Sequence, residues 1–398
     1  MGTSQVKAVV VGGGPTGLTS VLALASAGFS VALVARQAPA DNRTTALLTS
    51  SVAALETLGV WESCRQHAAP LAALRIVDAT QRLWRAPEAN FDAHEIGLEA
   101  FAWNIENRHL IAALEARAAE MPNLHLIRND AAAVDSHIDG VVIRTVGGDT
   151  IDAKLAVGAD GKNSLCRTAA GIAVQSRSYP QIALTYSVTH SRPHRNISTE
   201  FHTEQGPFTT VPLPGDRSSI VCVVNEAVAH DLQSLDADQR DRELERRSHS
   251  ILGKIKADPG NGAFPLVMET AGRFAAERIA LIGEAAHRFP PIGAQGLNLG
   301  LRDAAAIAEI ASEYRDDPGS PDVIDRYDRE RRADVMSRTI AVDLMNRSLL
   351  SGFLPVQGLR GFGLHMLNTV GPLRRAMMRE GVMPRAAQPK LMRGEALS

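Results

Sequence analysis

The β-branched run Val6-Lys7-Ala8-Val9-Val10-Val11 passes directly into Gly12-Gly13-Gly14-Pro15-Thr16-Gly17, and no other feature of the 398-residue chain limits its fold as much. A strand that ends in Gly-x-Gly-x-x-Gly and opens a helix is the phosphate-binding turn of a βαβ unit. Its glycines permit a tight turn, let the backbone approach a pyrophosphate, and let helix and strand pack closely. Residues 18–27 are rich in Ala and Leu and read as that helix, with Gly28 as its stop; residues 29–34 read as the next strand. The helix start would present free N–H groups and about half a positive charge to the phosphates. An α/β chain built on a doubly wound sheet follows, with a dinucleotide as its ligand.

This motif alone does not say which dinucleotide. The second strand should end in an acidic residue that holds a ribose hydroxyl. Here Ala35 occupies that position and Arg36 follows. An Arg there suits the extra phosphate of NADP, so an NADP-dependent dehydrogenase stays open at this point.

Two later segments narrow the choice. Leu155-Ala156-Val157-Gly158-Ala159-Asp160-Gly161 is an apolar strand ending in Asp-Gly, with Ser164 and Arg167 beyond. Ile279-Ala280-Leu281-Ile282-Gly283-Glu284 is an apolar strand ending in Gly-Glu. It leads through Ala285-Ala286-His287 to Pro290-Pro291-Ile292-Gly293-Ala294-Gln295-Gly296-Leu297-Asn298. Either alone reads as a buried strand with a polar stop. Together with the N-terminal turn, the set resembles the group A flavoprotein monooxygenases, the para-hydroxybenzoate hydroxylase-like family, over nearly the whole chain.

The resemblance implies a Rossmann-like FAD-binding domain, an inserted antiparallel-sheet substrate domain and a C-terminal helical region. Residues 1–70, 99–176 and 271–320 would form the first, 71–98 and 177–270 the second, and 321–398 the third. It implies that Gly12, Gly14 and Gly17 lie at the FAD pyrophosphate. Asp160 and Gly161 would lie near both FAD and an NAD(P)H donor, and Glu284 would replace the usual Asp at the ribityl chain. Arg43, in Asp41-Asn42-Arg43-Thr44-Thr45, would contact the flavin region, and Ala35 departs from the Glu expected at the adenosine ribose. Pro291, Gly293, Gly296, Leu297 and Asn298 would line the ring: the glycines admit it closely, Pro291 faces the side where O2 adds, and the helix start near Leu297 meets the negative charge of the reduced flavin.

Within the family, softer matches resemble the ubiquinone-biosynthesis hydroxylases. They are Arg43-Thr44-Thr45-Ala46-Leu47, Gly206-Pro207-Phe208 with Val211-Pro212-Leu213, Gly293 to Asp303, Val342 to Arg347, and Gly358-Leu359-Arg360. The implied reaction is hydroxylation of an aromatic ring, that of a polyprenylated phenol or a methoxylated relative, by O2 through a flavin C4a-hydroperoxide. No catalytic base stands out; His202 and Tyr186 are the candidates in the sheet domain, and His287 reads as structural. A flavin-dependent halogenase would need Trp-x-Trp-x-Ile-Pro, which Trp103-Asn104-Ile105 does not supply. A third reading, a scaffold subunit with weakened FAD binding, follows from Ala35 and Glu284.

Composition excludes other classes. The net charge of −2 argues against a nucleic-acid partner. Cys64, Cys166 and Cys222 are scattered and odd in number, so neither a disulfide framework nor a metal site is expected, and a cytoplasmic setting fits. No signal peptide is expected, since no basic segment precedes an apolar one. The stretch 349–370, nearest to a membrane span, is interrupted by Gly, Pro, Arg360 and His365. Residues 359–385 mix Leu, Phe and Met with Arg360, Arg374, Arg375 and Arg379. This tail reads equally as a contact with the inner membrane or a biosynthetic partner and as a helical cap on the core.

Along the chain, Ser50 or Ser51 and then Asn107 are expected to cap helices. Residues 141–146 and 150–157 should form a hairpin about Gly147-Gly148. Strands dominate 181–224, a charged helix spans 236–254, and helices begin near Leu297 and Pro321.

Overall fold

The computed structural model describes residues 3–37, 41–80, 85–260, 262–291, 294–350, 370–382 and 388–397, the side chains of 3 and 340–350 excepted. Strand β1 (Thr3–Val11) lies at the centre of the first sheet. It pairs in parallel with Thr150–Gly158 on one side and with β2 (Val31–Val34) on the other. Ile279–Leu281 and Leu124–Ile127 extend the parallel array outward on either side. A parallel pair needs a crossover, and α1 (Pro15–Ser26) supplies it between β1 and β2. Helices cover both faces, so the strands are apolar without alternation: Ala8, Val9 and Val10 are fully buried, as are Leu155, Ala156 and Val157.

Register sets the position of the site. Val11 lies opposite both Gly158 and Val34, and Gly158 lies opposite Leu281. Three adjacent strands therefore end level with one another, and ligands of open α/β sheets bind outside such carboxyl ends. The predicted hairpin is present, with Val141 opposite Ala153, and Ala131–His137 extends it.

A second sheet runs in the order His287–Arg288, Gly262–Ala271, Val174–His190, Arg217–Val224, Pro207–Leu213, Ile197–His202, Ala73–Asp78, Ala89–Asp92. Its pairs are antiparallel except that Ala73–Asp78 lies parallel to Ile197–His202. One face carries Leu184, Tyr186, Val188, Phe201 and Phe208, covered by Leu232 and Leu244 of the helices Glu226–Ser234 and Ala237–Arg247. The other face turns toward the first domain. A small sheet of Thr44–Leu48, Ala102–Glu106 and Ala68–Leu71 joins the two, with the Asn104 amide donating to the Pro212 carbonyl at 2.8 Å and to Ser219 Oγ at 3.3 Å.

Several local expectations are corrected. Helix Thr49–Thr57 starts without a side-chain cap, because Ser51 Oγ donates instead to Asn298 Oδ1 at 2.7 Å. Asn107 is the first residue of helix Asn107–Ala119 rather than its cap, and its amide is engaged by Thr45 and Asp41. The charged helix ends at Arg247, where His249 and Ser250 turn left-handed. Long helices occupy Gln295–Ser312 and Pro321–Leu350, and a shorter one Gly371–Val382. Among the described residues no helix is long and apolar enough to cross a membrane.

Candidate active site

The glycines of the first turn have different reasons to be bare. Gly12 has φ +112°, and a Cβ there would sit 2.3 Å from the Ala159 carbonyl oxygen; a Cβ on Gly17 would sit 2.0 Å from the Gly12 oxygen. Both are demanded by the chain itself. Gly14 is not: its φ is −73°, open to any residue, and a Cβ would meet nothing within 4 Å. The space beside it is open. Helix α1 starts at this point with Pro15 and no side-chain cap, so its first N–H groups face the same space.

The second strand end is built from Asp160. Its carboxylate accepts from Ser164 Oγ at 2.6 Å and from the Cys166 N–H at 3.0 Å, and Ser164 Oγ accepts from the Arg167 N–H at 2.9 Å. Asp160 thus shapes its own loop and caps the short helix Leu165–Ala169. Gly161, at φ +77°, adopts a backbone that few other residues tolerate, and a Cβ there would touch nothing within 4 Å. Arg167 then reaches across, donating to the carbonyls of Ala285 at 2.9 Å and Lys162 at 2.7 Å. It ties the second strand end to the third, a role its sequence position did not disclose.

The third strand end is the turn Gly283–Ala285. Glu284 is exposed and, among the described residues, has no hydrogen bond, whereas the turn beneath it is fixed from below. The fully buried Asp303 carboxylate accepts from the Gly283 N–H at 3.1 Å, from His287 Nε2 at 2.6 Å and from Arg331 Nε at 2.8 Å. Since a carboxylate only accepts, His287 carries its proton on Nε2. Burial alone would raise the Asp303 pKa, but His287 and Arg331 outweigh it and hold the group below its usual range. Tyr327 Oη donates to the Leu281 carbonyl at 2.9 Å, and Asp334 gathers Arg302, Arg331 and Arg338. Sequence reasoning missed this cluster. Its one local sign was Arg302-Asp303 inside a helix whose neighbours are Ala, Leu and Ile.

The three ends meet. The Cβ contacts of Gly12 and Gly17 with Ala159 join the first to the second. Thr16 of α1 lies against both Gly283 and Gly300: a Cβ on either would come within 3.1 Å and 2.6 Å of its Oγ1. The helix Gln295–Ser312 also starts without a side-chain cap, after Ala294 at φ +52°. Gly296 is exposed with no atom within 4 Å of a would-be Cβ, Pro291 is exposed and Leu297 half-buried. Ile292 and Gly293 lie outside the described residues. Asn298 departs from its expected role: its amide accepts from the Leu48 N–H and Ser51 Oγ and donates to the carbonyls of Ala46 and Ala294. All four hydrogen-bonding positions are taken by protein, so the side chain fixes the helix start rather than touching a ligand.

Across the cleft, Arg43 lies 5.7 Å from the ring centre of Phe264, which is paired with Ala183 on the inward face of the second sheet. Arg43 Nε and Nη2 grip Asp41, which also accepts from Asn107 Nδ2 at 2.8 Å. Burial pushes the Asp41 carboxyl up, and the bonds from Arg43 and Asn107 overcome this and hold it low. Ala183, Val223 and Leu266 give the inward face an apolar patch, with Val221 and Tyr179 beside it. His202 shares that face, its Nε2 2.7 Å from Glu200 Oε1. Tyr186 does not: it is buried under the helices on the opposite face, so its candidacy fails on simple strand alternation. At the end of β2, Ala35 is buried against Gly13, and Arg36 is 77% exposed with Asp130 at 3.5 Å.

Comparisons agree with this architecture. The p-nitrophenol 4-monooxygenase PnpA of Pseudomonas putida DLL-E4 superposes with TM-score 0.78 at 20% identity, covering 97% of this chain and all of that one. Klebsiella pneumoniae HpxO, solved with FAD and uric acid, gives 0.74 at 17% identity over 95% and 97%. A family model described as FAD binding domain matches residues 5–340. The ubiquinone hydroxylase UbiL of Rhodospirillum rubrum is 32% identical over 98% of this chain and 93% of its own length. The 3-demethoxyubiquinol 3-hydroxylase of Escherichia coli is 30% identical over 95% and 99%. The chain therefore belongs to the family of FAD-dependent aromatic monooxygenases, on its ubiquinone-biosynthesis hydroxylase branch. The dehydrogenase reading of Arg36 does not account for this match.

Proposed function

We propose that the chain hydroxylates the ring of a phenolic, prenylated intermediate of ubiquinone biosynthesis, using FAD, O2 and NAD(P)H. The observation that carries this reading is the contact of three strand ends around two uncapped helix starts. The residues present suit FAD: Gly14 and Gly296 leave space that a Cβ would fill, and neither the backbone nor the packing requires glycine there. Bound FAD would supply the oxygen-activating chemistry.

The remaining work is the protein's. Gly14 and the first N–H groups of α1 would hold the pyrophosphate, and Glu284 the ribityl hydroxyls. The N–H groups at Gly296 and Leu297 would meet negative charge at the pyrimidine edge of the ring. Pro291 would line one face of it, and Asp160 would keep Gly161 beside it. Arg43, held by Asp41, would close the cleft from the side of Phe264. The patch of Ala183, Val221, Val223 and Leu266 would receive the apolar substrate and keep water out. His202, paired with Glu200, is the inward-facing group able to take a proton from a phenol.

The same reading places the protein in the cytoplasm, against the inner membrane. Helix Gly371–Val382 turns Arg374 and Met378 inward, where Arg374 pairs with Glu95 at 2.6 Å. Outward it shows Val370, Leu373 and Met377, flanked by Arg375 and Arg379. An apolar stripe with cationic flanks suits an anionic bilayer.

The test is the purified protein's absorption spectrum, then NAD(P)H oxidation and isotopic-oxygen incorporation with candidate phenols. Yellow protein that places an atom of O2 in a prenylphenol is the expected result. Protein that cannot bind FAD, or a deletion strain with unchanged quinone precursors, would overturn it. For the membrane contact, co-sedimentation with anionic vesicles should be lost on replacing Leu373 and Met377 by Ser; unaltered binding would refute it.

A further inference from the structure

On the face of the large sheet turned away from the flavin cleft lies a cavity of about 360 Å³ that the reaction above does not use. Strand alternation places it there. Ile197 and Thr199 share a face with Phe201, which packs under the helices Glu226–Ser234 and Ala237–Arg247, and Arg75 is the register partner of Thr199. Arg75 lies within the cavity, Arg192 and Arg195 stand exposed at its rim, and Ile251 and Leu252 form an apolar wall. Among the described residues the lining thus holds three guanidinium groups and no carboxylate.

These arginines are poorly satisfied by the protein. The acid paired with Arg75 is Glu88 at 3.9 Å, the outer limit of an ion pair, and the buried Arg75 Nε has no hydrogen-bond partner. Arg192 donates to the Ser250 carbonyl at a long 3.3 Å. A buried guanidinium N–H without an acceptor is unfavourable, and a ligand oxygen would remedy it. The rim is held in place rather than loose. Arg195 and Asn196 have φ of 54° and 59°, which side-chain-bearing residues seldom adopt. His194 fixes that turn: its Nε2 lies 3.0 Å from the carbonyls of Leu213 and Gly215, and its Nδ1 accepts from the Asn196 N–H at 3.0 Å. Both ring nitrogens are thereby used, so His194, which lines the cavity, holds the rim without offering a hydrogen bond to what fills it.

We propose that this cavity binds a phosphate ester. Arg75, Arg192 and Arg195 take the phosphate oxygens, for which planar guanidinium forks are well matched, and Ile251 and Leu252 cover an apolar portion of the ligand. The volume is that of a small-molecule site. Such a ligand could be a soluble phosphate ester or the headgroup of an anionic phospholipid, and one pair of measurements separates these sources.

The experiment uses full-length FAD-loaded protein and its Arg192→Gln/Arg195→Gln and Arg75→Gln variants. Calorimetric titration with inorganic pyrophosphate reads the soluble source. Co-sedimentation with phosphatidylcholine vesicles, with and without phosphatidic acid, reads the lipid source. The expected result is saturable binding of at least one probe, weakened tenfold or more in the double variant and also reduced in Arg75→Gln, with FAD content and thermal midpoint unchanged. Loss confined to the vesicles assigns the lipid, and loss of pyrophosphate binding assigns a soluble ester. No saturable binding of either probe, or equal binding by wild type and variants, overturns the proposal.

Discussion

Asp160 and Glu284 end neighbouring parallel strands, a register apart of one hydrogen-bonded ladder, yet they are used in opposite ways. Both oxygens of Asp160 are spent on its own loop, on Ser164 and the Cys166 N–H. Glu284 has neither oxygen engaged and stands in solvent, on a turn braced from beneath by Asp303. An acid that shapes its own loop and an acid that stands exposed look alike in a motif. Only the account of their hydrogen bonds separates them. The difference also predicts which substitutions act on stability and which on FAD.

The largest effect should come from the brace. Asp303→Asn leaves the buried Arg331 and His287 facing a neutral amide, and loss of one partner in a buried charge cluster costs about 3–5 kcal/mol. Thermal unfolding of the variant should fall by several degrees. Because Asp303 and Asp334 titrate low in the folded protein, each binds fewer protons folded than unfolded. Their contribution is full above about pH 4, the unfolded value, and is lost as pH falls through the depressed folded values. The wild type should therefore lose stability steeply below about pH 4, and Asp303→Asn more gently. Parallel slopes in the two proteins would show that Asp303 is not a working charge.

Next in size is Gly14→Val. A Cβ at Gly14 meets no atom within 4 Å, so the unfolding free energy without FAD should stay within about 0.5 kcal/mol of wild type, as for other contact-free substitutions. FAD affinity should fall by about 100-fold or more, equivalent to about 2.7 kcal/mol, as read by fluorescence titration. Full retention of FAD would mean that the pyrophosphate does not lie at this turn.

Asp160→Ala is expected to reverse the balance. It removes the acceptor for Ser164 Oγ and Cys166 N–H, and loss of a helix cap costs about 0.5–2 kcal/mol. Denaturant unfolding should register this in the FAD-free protein. A variant as stable as wild type, yet unable to bind FAD, would make Asp160 a ligand group and dissolve the contrast with Glu284.

These distinctions bear on what the sequence could disclose. The βαβ unit and the strand ends at Asp160 and Glu284 were legible because each is local: an apolar run, a glycine that relieves a clash, a polar stop. The hairpin about Gly147-Gly148 was legible for the same reason. Partners distant along the chain were not. Asp303 meets Arg331 from another helix, and Ser51 leaves its helix start to bind Asn298. The face of Tyr186 was likewise hidden, since alternation gives two faces and only packing says which one is covered. Arg167 had a legible type and position, but its bond to Ala285 depends on the two loops having met.

Glu284 gives the smallest effect and the most direct comparison. Its side chain bonds nothing in the protein, so Glu284→Ala should leave the unfolding midpoint where it was, in the FAD-free state as a surface change does. If the carboxylate holds ribityl hydroxyls, FAD affinity should drop about tenfold, the scale of a lost charge-assisted hydrogen bond. Glu284→Asp is the more informative variant. It keeps the charge and withdraws it by one methylene, so affinity restored to the wild-type level would show that the turn held by Asp303 and Arg167 tolerates either length. Affinity as poor as in Glu284→Ala would show instead that the backbone of this chain has shifted to suit the longer acid. Weakened folding with unchanged FAD binding in Glu284→Ala would place the residue with Asp160 as a builder of its own loop.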